Sequence, residues 1–132
     1  MDDQDKQYTN ELYKTLSYSN EQFDKNVLFI ASGALGVSFA FIEKIVPNMN
    51  EAIFKDHLIN AWIMYAVVIF VSMVSHFVSS LSLRWSISNH NSKNFERGRS
   101  NWNMLIRCLN ILLMIGLLIG TLLLINFIEI NI

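Results

Sequence analysis

HLINAWIMYAVVIFVSMVSHFVSSLSL, residues 57–83, contains no Asp, Glu, Lys or Arg. As a helix it rises about 40 Å at roughly 1.5 Å per residue, more than the ~30 Å hydrocarbon core of a bilayer. That single reading places the chain in a membrane. Two neighbouring runs repeat it, with no charged side chain in 27–42 or in 108–128. The first is short, but Ile45 and Val46 extend it past Glu43 and Lys44. The expectation is an all-α protein of three transmembrane spans, about 27–46, 58–83 and 104–128, joined by a basic link, 84–103. Residues 1–26 are expected to form a cytoplasmic amphipathic N-terminal helix that runs into or abuts the first span.

Composition agrees. The chain has 132 residues, 52% of them hydrophobic, with mean hydropathy +0.33 and net charge −1. Near-neutral charge gives no electrostatic footprint for specific nucleic-acid binding. A lone cysteine, Cys108, has no intrachain partner and reads as a small buried hydrophobe. No short apolar core followed by a small-residue cleavage site marks a secretory signal.

Charge asymmetry sets an orientation. With three spans, the N-terminal segment and the second link share a side, which carries Lys6, Lys14, Lys25, Arg84, Lys93, Arg97, Arg99 and Arg107; only Lys44 and Lys55 lie opposite. The positive-inside rule then places the N-terminus in the cytoplasm and the C-terminus outside, in a bacterial inner membrane.

Within the second span, Ser72, Ser75, Ser79, Ser82 and Ser86 step by three and four residues. That spacing keeps them on one helix face, with His76 and Ser80 beside them. Each hydroxyl can bond the carbonyl one turn back, and its small size allows close helix approach. The stripe therefore reads as a packing seam, as the lining of an oligomeric pore, or as the setting for proton or ligand chemistry at His76. No intramembrane acid accompanies the histidine in the sequence. Other small residues mark helix packing: Ser32, Gly33, Gly36 and Ala40 in the first span, and the GxxxG pair Gly116 and Gly120 in the third. Asn110 needs an internal partner.

Outside the spans, Tyr8, Leu12, Leu16, Phe23 and Val27 draw an apolar stripe that covers the mouth of the bundle or meets a partner. Pro47 ends the first helix, and residues 51–60 read as a short amphipathic lead-in. The second helix is expected to continue to about Phe95, with Gly98 as the break. Trp85 and Trp102 suit the interfacial belt. Arg84, Lys93, Arg97, Arg99 and Arg107 set topology and are candidate contacts for anionic lipid, a phosphate-bearing trigger or a cytoplasmic protein. Metal-ligand clusters, phosphate loops and paired catalytic carboxylates are absent, so no cofactor is expected and the chain reads as a non-enzyme.

Two resemblances follow. Arg84 and His90, with five residues between them, match the loose Arg–His spacing of HEPN ribonucleases, although positions six apart fall on different faces of one helix. The stretch SGALGVSFAFIEKIVP, residues 32–47, and the overall plan resemble small bacterial membrane proteins of defence loci, the SLATT-like effectors, with a third span added to that plan. This resemblance implies an oligomer that permeabilises the inner membrane on a partner's signal. A phage holin, the other three-span comparison, is disfavoured by Lys6, Lys14 and Lys25 at the N-terminal end. The leading expectation is an oligomeric, ion-conducting or membrane-disrupting effector. The alternative is a non-conducting anchor or regulatory subunit that recruits a cytoplasmic partner.

Overall fold

The three charge-free runs lie within three long helices in the computed structural model, which describes residues 3–89 and 93–132. They are α1 (Asp3–Ile45), α2 (Lys55–Ser88) and α3 (Phe95–Asn131). Each contains a stretch apolar and long enough to cross a bilayer. The chain is an all-α, three-span membrane protein.

Of the two expected arrangements the N-terminal helix takes the first: it runs into the first span without a break, so α1 measures roughly 65 Å and extends far beyond the hydrocarbon core. It stops at Ile45, two residues before Pro47, whose ring and missing N–H forbid another turn. Residues 46–54 form turns and bends, so of the lead-in expected at 51–60 only 55–60 is helical, as the start of α2, and Phe54 precedes it in a left-handed conformation at φ 56°. The side chain of Asn131 ties down this loop. Its Oδ1 accepts from Ile53 N–H at 2.7 Å and its Nδ2 donates to Ile53 O at 3.0 Å.

The link also departs from expectation. α2 ends at Ser88, and Phe95 opens α3 instead of closing α2. Gly98 is not a break; it lies inside α3, where a Cβ would overlap the Trp85 ring. Trp85 rests on that glycine and lies parallel to Phe95, with centroids 6.0 Å apart. His90 falls outside the described residues, as does its spacing to Arg84.

α2 is the hub of the bundle. It packs along both neighbours, while α1 and α3 touch far less. Gly116 and Gly120 explain the α2–α3 contact: a Cβ at Gly116 would sit 2.8 Å from Val68 Cγ2, and one at Gly120 would sit 3.2 Å from Tyr65 Cε1. Small residues let backbones approach where lipid supplies little hydrophobic drive. Val27, Ala31, Tyr65, Val68 and Leu113 form one buried cluster. Ile42, Val46, Leu58 and Phe127 form a second toward the loop end. Hydrogen bonds cross between the helices at both levels, from Tyr65 Oη to Thr121 Oγ1 (3.1 Å) and from Trp62 Nε1 to Ser38 Oγ (2.9 Å).

The first span packs through a face other than the one expected. Ser32, Gly33, Gly36 and Ala40 are exposed, and no atom comes within 4 Å of a Cβ built on either glycine. Val27, Ala31, Ser38 and Ile42 turn inward instead. Cys108 is likewise exposed rather than buried.

Candidate functional site, a polar seam between the first two helices

The serine stripe does not stay uniform along α2. Ser72 and Ser75 are buried against α1, whereas Ser79, Ser82 and Ser86 line an open groove together with His76 and Ser80. What meets them is a second polar stripe. Asn10, Tyr13, Ser17 and Asn20 step by three and four along α1 and line the same groove, and Asp24 continues the series four residues on. Two heptad-spaced polar faces thus run antiparallel, closed at the bottom and open toward the link.

Asp24 is the residue that the sequence reading missed. It is only 3% exposed, though it lies three residues before the first charge-free run. Ser75 Oγ stands 3.3 Å from each carboxylate oxygen, and Ser72 Oγ donates to the Asp24 carbonyl at 3.1 Å. Among the described residues no cation pairs with this carboxylate. Lys25, next in sequence, points away and binds Glu21 at 2.7 Å. Burial pushes the Asp24 carboxyl up from its ordinary value, against the weaker pull of the Ser75 hydroxyl and of His76. Helix pairing thus brings an acid from just outside the first charge-free run to Ser75, the neighbour of His76. His76 itself is exposed and makes no bond to Asp24.

Above Asp24 the seam is incompletely satisfied. Asn110 Nδ2 of α3 donates to Asn20 Oδ1 at 3.4 Å, which gives Asn110 its internal partner. Its own Oδ1 and the Ser79 Oγ are buried with no partner. Below, the Tyr65–Val68–Leu113 cluster closes the path with hydrocarbon. No protein-family model, curated protein or solved structure matches this chain. The site is therefore read from its own chemistry.

The groove encloses about 340 Å³. Arg99 reaches its mouth, with the guanidinium over the Tyr13 ring at 3.0 Å from the centroid. Partial burial lowers the Arg99 guanidinium from its ordinary value. A second recess of about 480 Å³ lies on the same part of α3, lined by Arg99, Ser100, Asn103 and Arg107 together with Tyr13 and Glu96. Of the basic candidates, the structure brings Arg99 and Arg107 to one recess and leaves Arg84, Lys93 and Arg97 exposed elsewhere. The apolar stripe of the N-terminal segment divides. Phe23 and Val27 pack inside, but Tyr8, Leu12 and Leu16 are 65%, 51% and 47% exposed.

Proposed function

We propose that the protein is an oligomeric inner-membrane effector that conducts ions or disrupts membrane integrity, in the bacterial antiviral setting that its resemblance to SLATT-like proteins implies. Its N-terminus and basic link lie in the cytoplasm, as the distribution of Lys and Arg requires. One observation carries the reading: a three-span bundle keeps an unpaired carboxylate at the foot of a polar seam that opens at one end. A structural bundle gains nothing from such a group, because burying a charge without a partner is costly. In the single chain the hydrocarbon cluster below Asp24 blocks passage. Conduction then requires the helices to rearrange, and the exposed small face of Ser32, Gly33, Gly36 and Ala40 is available for assembly.

Ion flux through liposomes containing the purified protein, with its oligomeric mass in the same detergent, tests this. Flux that disappears when Ser75, Ser79 and Ser82 are all replaced by leucine is the expected result. Undiminished flux in the triple variant removes the seam from the conduction path. The rival reading, a non-conducting anchor for a cytoplasmic protein, is favoured by the exposed Tyr8, Leu12, Leu16 and Tyr18 on the projecting part of α1. A protein that never conducts, yet whose function is lost on replacing these four with serine, would establish it.

A further inference from the structure

Asp24 holds more than a packing position. We propose that it is a reversible proton-binding site, reached from the link end of the bundle through the groove between α1 and α2. The inference concerns occupancy of one carboxyl and holds whether or not the protein conducts.

The surroundings of Asp24 supply hydrogen bonds and no compensating charge. On α1, Glu21 and Lys25 flank it but neutralise each other at the surface. On α2 the one titratable neighbour is His76, exposed and beside Ser75. α3 contributes Asn110, which bonds Asn20 one turn above. A carboxylate so placed is neutralised by taking a proton. Ser75 accommodates both states, since its hydroxyl is 3.3 Å from each oxygen. It donates to the carboxylate, and after protonation it accepts from one oxygen. Ser72 stays committed to the backbone carbonyl, so the site does not rearrange.

A metal ion fits poorly. Calcium takes about six to eight oxygen ligands, and magnesium demands near-octahedral geometry. Here one carboxylate meets one uncommitted hydroxyl, and among the described residues no group of three or more His, Cys, Asp or Glu side chains could hold a metal ion.

The groove provides the route. Asn20 and Glu21 of α1 and Ser79 of α2 line it one turn from Asp24 and Ser75, with His76 next to Ser75. The unpartnered Ser79 Oγ and Asn110 Oδ1 lie in this layer. Buried polar atoms of that kind hold ordered water where there is room, and water bridges the gap to the carboxyl. Below, Val27, Ala31, Tyr65, Val68 and Leu113 seal the seam. A proton therefore arrives from hydronium in the groove, leaves water behind, and returns by the same path.

Infrared difference spectra of the full chain in phosphatidylcholine–phosphatidylglycerol vesicles, recorded across pH, test the proposal. The expected result is a carbonyl band from a protonated carboxyl that persists above the pH range in which exposed Asp and Glu lose theirs. Asp24→Asn abolishes it. Ser75→Ala keeps the carboxyl but shifts the band, so the test survives if Asp24→Asn fails to fold. In deuterium oxide the band moves promptly, and several-fold more slowly in Ser79→Leu/Ser82→Leu, which plugs the groove. A band lost together with the exposed carboxyls, or unchanged in Asp24→Asn and Ser75→Ala, overturns proton binding at Asp24. Equal exchange in the plugged variant overturns the route. Displacement of the proton by sodium, with choline as control, overturns the choice of ligand.

Discussion

At the scale of single residues, Asp24 shows how position relative to a partner outweighs position in sequence. In α1 alone it is a polar residue in a polar segment, but in the bundle it is buried on Ser72 and Ser75. Its raised carboxyl means that the folded chain binds more protons than the unfolded one between the ordinary and the raised value. The associated stability is complete below the ordinary value and is lost as pH rises through the folded one. Asp24→Asn should therefore unfold at higher temperature than wild type at neutral pH, with the two converging near pH ~4. Thermal unfolding in detergent checks this. A variant less stable than wild type at neutral pH would mean that the charge is compensated. The sequence signal for Asp24 exists: Asn10, Tyr13, Ser17, Asn20 and Asp24 repeat the spacing of the serine stripe. The signal carries no meaning until the two helices are known to pair.

At the scale of the helix, spacing decides which face turns inward. Tyr8, Leu12 and Leu16 advance by fours, which rotates a stripe by about 40° at each step on a 3.6-residue helix. Leu16, seven residues before Phe23, stays on the face that Phe23 and Val27 hold and lines the open groove, while Leu12 and Tyr8 rotate progressively off it. Small residues divide by the same test. Gly116→Val forces Val68 aside and should cost about 1–3 kcal/mol, the usual range for overpacking. A Cβ added at Gly33 or Gly36 meets no atom within 4 Å, so Gly33→Leu and Gly36→Leu should not destabilise the monomer. Unfolding of each variant in the same detergent compares them directly; a large loss in Gly36→Leu would place that face in a contact between copies. At the other end, Asn131→Ala removes two bonds to Ile53, at about 0.5–1.5 kcal/mol each. Hydrogen exchange at Ile53 should quicken, and protection equal to wild type would show that Phe54 and Pro47 hold the loop without it.

At the scale of the whole molecule, α2 joins the other helices, and the polar seam and the glycine seam occupy its two sides. The proposed orientation puts the open end of the groove in the cytoplasm. In a Cys108→Ser background, a cysteine at Ser100 should react only with thiol reagents applied from the cytoplasmic side, and one at Asn48 only from outside. The opposite pattern would reverse the molecule and place the proton entrance outside. Sequence alone determined that there are three spans and which uncharged runs form them, because a bilayer demands such runs and Pro47 ends one of them, but it misplaced the helix ends in the link. It also indicated that Ser72–Ser86 and Gly116–Gly120 are faces, because helical periodicity is local. Only the tertiary structure decided what those faces touch. Ser32, Gly33, Gly36 and Ala40 have the same small size as Gly116 and Gly120, yet no neighbour covers the former set. Asp24 became part of a site only when α2 laid its serines across it. Pairing between helices depends on the mutual rotation and height of two rigid rods, and neither is written in the period of one.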